Sequence, residues 1–238
     1  MTRPSRARPA ETELAGLPAL TPVPTAAERA AEAIREHIFA GRFRPGTALP
    51  ETSLARALGV SRNTVREAYR TLVNEHLLSY AAHKGVVVRR LTTADVREIY
   101  GLRRMLEFAT LDGLRTGTCA LEPATLAGPL AAGDRAAAGD DWLAAGTANL
   151  RFHAAIVAAQ GSTRADDFFR RLMTELRLGF LALVDPRAFH EPYLRRNHDI
   201  ADRLRAGDLD RARATLDSYL ADSMRQVVAA VADAPDGR

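Results

Sequence analysis

Cysteine is nearly absent from this chain: 238 residues hold one, Cys119. A single thiol excludes an internal disulfide framework and a thiolate metal cluster. Lysine is as scarce, with Lys84 alone among 33 basic residues. Arginine abundance therefore partly reflects a compositional bias and does not by itself mark phosphate binding. Long apolar runs are missing as well. No stretch is long enough to cross a bilayer, and the N-terminus lacks the apolar segment of a signal peptide. These absences predict a soluble, cytoplasmic chain with no membrane partner. Enzyme signatures are missing too: there is no nucleophile elbow, P-loop, dinucleotide fingerprint or paired-histidine motif.

What is present is a chain that can fold. Hydrophobic residues make up 47% of it, enough for a buried core, and the length suits two modest domains. The charge is uneven. Residues 1–91 carry 14 Lys/Arg against 8 Asp/Glu, whereas residues 92–238 carry 19 against 21. A basic front and a mildly acidic back suggest that the front meets a polyanion.

Residues 1–24 hold Pro4, Pro9, Pro18, Pro22 and Pro24 with no helical period, and read as a disordered tail. Arg3, Arg6 and Arg8 there suit loose phosphate contacts, although a solvated leader without a role is the preferred reading. Thr25 with Glu28 three residues later has capping-box spacing, and opens a helix with an apolar stripe at Ala30, Ile34, Ile38 and Phe39. Arg44-Pro45-Gly46 marks a turn. A short helix follows over 51–58, with Leu54 and Leu58 on one side. Gly59-Val60-Ser61 makes a tight turn, with Ser61 as the next N-cap. The third helix, 62–74, turns Val65, Tyr69, Leu72 and Val73 inward and Arg62, Asn63, Arg66 and Arg70 outward. Two short β-like runs at 77–80 and 86–88 flank Ala81-Ala82-His83-Lys84-Gly85, a hairpin with a basic tip. Beyond Thr92 the pattern is helical to about residue 231, over 93–116, 122–138, 140–159, 163–184, 188–205 and 208–231. An antiparallel helical bundle is the natural outcome.

The division expected is thus a tail over 1–24, a winged helix-turn-helix DNA-binding domain over 25–91, an all-helical domain over 92–232, and a tail over 233–238. The fold class is mainly α, with a small β-hairpin wing. A helix-turn-helix presents the N-terminal residues of its last helix to base edges in the major groove, where Ser61, Arg62, Asn63, Thr64 and Arg66 stand. Arginine bonds guanine bidentately and asparagine bonds adenine, while hydroxyls and backbone N–H groups suit phosphate. His83 and Lys84 at the wing tip suit backbone or minor-groove contacts. With Arg44 and Gly85, these residues form the predicted DNA-binding set. A helical hairpin with a solvated charged face is the plainer alternative, and the complete head argues against it.

Residues 27–91 resemble the GntR family of bacterial repressors. The resemblance rests on Arg44-Pro45-Gly46, Leu49, Leu54-Ala55, Leu58-Gly59-Val60-Ser61-Arg62, Val65-Arg66-Glu67-Ala68, Leu72 and Gly85-Val86-Val87-Val88. It implies a homodimer on a short inverted repeat of double-stranded DNA, read chiefly by Arg62 and Arg66. His76 stands where the family usually has glycine, and Thr64 where proline is common. Histidine tolerates the left-handed backbone better than most residues.

The remainder resembles the FadR-like subgroup, whose FCD-type bundle binds small carboxylates or acyl compounds. The matches are Val96-Arg97-Glu98-Ile99-Tyr100-Gly101-Leu102-Arg103 with Glu107, then Arg151-Phe152-His153, then Leu204-Arg205-Ala206-Gly207-Asp208. Many members hold a divalent metal on an Asp, a His four residues later and two further His. Here the Asp position is Asn149, His153 is kept, and Asn197 and Tyr219 fall at the other two. His198 is the tempting substitute, but it lies about 100° from the face of Leu194, Asn197, Ala201 and Leu204. Asparagine and tyrosine are poor ligands for Zn²⁺ or Ni²⁺. The resemblance with these replacements disfavours a held metal, whose ligands would be Asn149, His153 and Asn197 or His198. It favours a pocket of Asn149, His153, Asn197 and Tyr219 that hydrogen-bonds the effector directly, with Arg103 as a carboxylate clamp or as the i,i+4 partner of Glu107.

Two other readings compete. One is a metal-dependent or hydrolytic helical-bundle enzyme, although His153, His190 and His198 form no evident relay. The other is a regulator whose sensory domain has decayed to a ligand-free dimerisation module.

Overall fold

The computed structural model describes residues 23–233; the expected tails lie outside them except for their inner edges, and Arg3, Arg6 and Arg8 lie wholly outside. Helix α1 (Ala26–Phe39) starts at the Thr25–Glu28 capping box, with the Glu28 N–H donating to Thr25 Oγ1 at 3.1 Å. Ala30, Ile34 and Ile38 along it are buried. Helix α2 (Glu51–Leu58) ends at Gly59, whose φ of 66° is the left-handed turn that lets α3 (Arg62–Asn74) follow at once. Ser61 caps α3 by accepting from the Thr64 N–H at 3.1 Å. The chain leaves α3 through His76 at φ 59°, so histidine does stand in the left-handed conformation there.

The wing pairs β1 (Leu78–Ala81) with β2 (Gly85–Val88) antiparallel, Leu78 opposite Val88 and Ala81 opposite Gly85. The other edge of β2 is also used. The N–H groups of Gly46 and Leu49 donate to Val88 and Val86 at 2.7 and 2.9 Å, and Ala48 bridges Val87. The segment after the Pro45-Gly46 turn is thus a third rung, too short and too punctuated by Gly and Pro to read as a strand in sequence.

Six helices follow: α4 (Thr93–Thr116), α5 (Pro123–Ala138), α6 (Trp142–Ala158), α7 (Thr163–Phe180), α8 (Pro186–Arg205) and α9 (Leu209–Ala232). α5 packs on α6 and α8, α4 on α9, and α6 on α7 and α8. Most boundaries fall within one or two residues of expectation, and the largest shifts flank one turn. α7 ends at Phe180 rather than 184, and α8 begins at Pro186 rather than 188. Proline lacks the N–H that a first helical residue leaves unused, and Asp185 caps the turn by accepting from the Ala188 N–H at 2.9 Å.

One hydrophobic cluster runs from the head into the bundle, including Ile34, Leu72 and Val88 on one side and Val96, Leu176 and Val227 on the other. At the joint Arg89 bonds both Asp95 at 2.6 Å and Glu175 at 2.9 Å. Head and bundle also meet where α1 packs on α7. Among the described residues no helix is long and apolar enough to cross a membrane.

Candidate functional site

Two sets of functional side chains emerge. The first lies on the head. Arg62, Asn63 and Arg66 are exposed on the first turns of α3, and Arg44, His83, Lys84 and Gly85 are exposed on the flanking turn and wing. Thr64 is half-buried, its hydroxyl 2.8 Å from that of Ser61. Asn63 donates to Glu67 at 3.0 Å, one turn along. His83 and Gly85 both take positive φ, 61° and 73°, which folds the wing tip tightly.

A residue missed by the sequence reading organises this face. Glu51, in the first turn of α2, accepts the Arg66 Nε–H at 2.9 Å and lies 3.6 Å from Arg62 Nη2. The hydrogen bond from Arg66 holds the Glu51 carboxyl below its ordinary range and raises the Arg66 guanidinium in turn. Glu51 has no distinguishing spacing in sequence, because its partner is fifteen residues away in another helix.

The second set is buried in the bundle. The structure brings Arg103, Asn149, His153, Asn197 and Tyr219 into one connected cluster from four helices. Asn149 Oδ1 accepts from Asn197 Nδ2 at 2.8 Å and from the Tyr219 hydroxyl at 2.7 Å. The ring of Tyr219 packs edge-on against His153 at 4.8 Å and against Tyr193 at 4.7 Å. Arg103 and Glu107 form their i,i+4 pair, Nε donating to Oε1 at 3.0 Å, and the other Glu107 oxygen accepts from His153 Nδ1 at 2.6 Å. Each of these three side chains is at most 1% exposed.

The electrostatics follow from this geometry. Burial pushes the Glu107 carboxyl up, but His153 and Arg103 outweigh it and leave it below its usual range. Burial, with Arg103, lowers the His153 imidazole despite Glu107. At neutral pH Glu107 is therefore ionised and His153 neutral, its Nδ1–H donated and its Nε2 an acceptor. That acceptor has no partner, and neither do Arg103 Nη2 and Asn197 Oδ1. Unpaired buried polar atoms are rare, so three in one cluster set it apart from an ordinary packed core.

This donor set does not fit a divalent metal. It offers one imidazole nitrogen, His153 Nε2, beside neutral amide and phenol groups, and the Asn149 oxygen already accepts two hydrogen bonds. Among the described residues no group of three His, Cys, Asp or Glu could hold a metal ion. His198 stands apart, half-exposed, with Nε2 2.9 Å from Asp134.

Comparison with known proteins covers both sets. The family model described as bacterial regulatory proteins, gntR family, matches residues 26–88. That of the FCD domain matches residues 98–222, slightly more than half of the chain. A GntR regulator structure from Rhodococcus sp. RHA1 is 38% identical, covers 85% of this chain and 97% of its own, and superposes with a TM-score of 0.78. The protein named probable D-xylose utilization operon transcriptional repressor of Paenarthrobacter nicotinovorans is 27% identical over 83% of this chain and 86% of its own length. The HTH-type transcriptional regulator YdhC of Bacillus subtilis is 43% identical over 31% of this chain. The chain spans 33% to 48% of the lengths of the first three curated relatives it matches.

Proposed function

Because the chain belongs to the GntR family, DNA-binding transcriptional regulators rather than enzymes, and carries an FCD domain, we propose that it is an effector-released repressor. In this reading a cytoplasmic homodimer grips a short inverted repeat through Arg62 and Arg66. Ser61, Asn63, Thr64 and the wing residues His83, Lys84 and Gly85 support that grip, with Arg44 beside them. A small carboxylate or acyl metabolite enters the cluster of Arg103, Asn149, His153, Asn197 and Tyr219 and loosens it.

The observation that carries this reading is the trio of unpartnered buried atoms, Arg103 Nη2, His153 Nε2 and Asn197 Oδ1. A ligand carboxylate oxygen accepts from Arg103, and its hydroxyl or N–H groups donate to the two acceptors. The mechanical link is short. α4 begins five residues after β2 ends and carries both Arg103 and Glu107. A ligand that draws Arg103 shifts α4, and the wing moves with it. Only the difference in ligand affinity between the two arrangements can shift the DNA equilibrium.

The test is a thermal-shift screen of organic acids, sugar acids and acyl-CoAs, with each hit then titrated against protein on labelled operator DNA. Saturable stabilisation that weakens DNA binding, and is lost in Arg103→Met and His153→Ala, is the expected result. Silence across the screen favours a ligand-free dimerisation module, and turnover of a hit would overthrow the assignment.

A further inference from the structure

One buried charge has no part in that mechanism. Arg177, on α7, is 1% exposed, and its Nη2 donates to the Leu143 carbonyl at 2.9 Å. Its Nε has no partner, and among the described residues no carboxylate lies within ion-pair reach. Arg103 is equally buried but has Glu107 at 3.0 Å. Beside Arg177 stands His190 of α8, 2% exposed, with its Nδ1 also unpartnered. The two meet over Gly146 of α6, where a Cβ would come within 2.7 Å of Arg177 Nη1 and 2.6 Å of His190 Nε2. Glycine is needed there for both polar heads to reach one spot.

The local electrostatics are one-sided. Burial holds the Arg177 guanidinium down to about 10, only partly opposed by Asp141, whose carboxylate is occupied capping the Ala144 N–H at 2.9 Å. Burial and the Arg177 charge push the His190 imidazole down to about 3. The rings of Phe180 and Phe189 enclose that imidazole at 5.1 and 4.9 Å. A buried cation with an open donor and no ion-pair partner is costly, and proteins resolve it by pairing.

We propose that Arg177 and His190 form a second ligand site, separate from the Asn149 cluster, which takes the carboxylate or phosphate group of a small anion. Guanidinium matches either oxyanion in planar, bidentate fashion, and the imidazole becomes a second donor once the anion supports its proton. A cleft of about 1060 Å³ between α1 and the α6–α7 pair lies nearby: Leu143, whose carbonyl accepts from Arg177, stands on its wall, while Arg177 and His190 themselves lie behind that wall. The site also touches the head: a Cβ on Gly41, just beyond α1, would stand 3.4 Å from Arg177 Nη2 and 3.1 Å from Leu181. An anion at Arg177 therefore bears on the joint between head and bundle, independently of α4.

The experiment uses the full chain and two probes, sodium phosphate and sodium acetate, each titrated at constant ionic strength. The His190 ring nitrogens are followed by NMR and the melting temperature is recorded. The expected result is a saturable shift of the His190 signals with a rise in melting temperature. Arg177→Met should weaken that binding tenfold or more, and Tyr219→Phe should leave it unchanged. Response to phosphate alone identifies a phosphate-bearing ligand, response to acetate alone a carboxylate, and both outcomes support the site. His190 signals of the wild-type protein unmoved by either probe would overturn it, whether or not the Arg177 variant folds. So would equal affinity in wild type and Arg177→Met.

Discussion

The Glu51 carboxylate accepts the Nε–H of Arg66 at 2.9 Å across the turn between α2 and α3. With Nε engaged, both terminal nitrogens of Arg66 stay clear of Glu51, and in the proposed reading they are the pair that contacts guanine bidentately. The interaction is exposed and screened by solvent, so it adds little to stability. Its effect is on direction.

Arg62→Ala and Arg66→Ala should each weaken specific operator binding on the order of 10- to 100-fold and relax base preference at one position. Competition of labelled operator against single-base variants measures both. Glu51→Gln should leave the melting temperature almost unchanged while narrowing the gap between operator and random DNA. Unchanged discrimination in Glu51→Gln would remove the orienting role.

Glu107 supports two neighbours at once, Arg103 and His153. Glu107→Gln leaves a buried guanidinium without its counter-charge, and breaking such a pair from one side costs about 3–5 kcal/mol. Removing both charges together, in Arg103→Met with Glu107→Leu, should cost less than Glu107→Gln alone. Chemical denaturation of the three proteins checks the order.

The head was legible in sequence because its signals are local. Capping at Thr25 and Ser61, the turn at Gly59 and the left-handed residue at His76 each depend on a few neighbouring residues, and the helices start and stop accordingly. The exclusion of His198 from the cluster was legible for the same reason, since helical phase alone places it off the face of Asn197. What stayed hidden depends on register between helices. Glu51 meeting Arg66, Glu107 bridging Arg103 to His153, and Arg177 meeting His190 over Gly146 all require the bundle to be assembled first. The third rung at Ala48 was hidden because three residues next to Pro-Gly carry no period.

Metal content gives a direct check on the Asn149 cluster. Tag-free protein dialysed against Zn²⁺ or Ni²⁺ and then against metal-free buffer should retain far less than one ion per chain, because one imidazole and neutral amide or phenol groups hold these ions weakly. Elemental analysis decides it. Near-stoichiometric retention would mean that the Asn149–Asn197 and Asn149–Tyr219 bonds open to admit the ion.

Glu175 supplies a pH dependence of stability. Burial pushes its carboxyl up to about 7, only partly offset by Arg89, with Asp95 and Glu98 adding to the rise. In the unfolded chain the same group titrates near 4.5. Between those two values the folded state holds a proton that the unfolded state has released, so this contribution to stability is complete below about 4.5. It is lost as pH rises through about 7. Other carboxylates, such as Glu107 and Asp95, are lowered on folding and act in the opposite sense at more acidic pH. The clean comparison is therefore a difference between two proteins. Melting temperatures of wild type and Glu175→Gln, taken from pH 5 to 8, should diverge, with wild type losing ground to the variant as pH rises. Parallel curves would place the Glu175 titration back in the ordinary carboxylate range. Because Glu175 bonds the Arg89 that also holds Asp95 at the start of α4, the same titration should loosen the joint between wing and bundle as pH rises. Operator affinity measured across that pH range should follow the difference curve rather than the melting temperature alone.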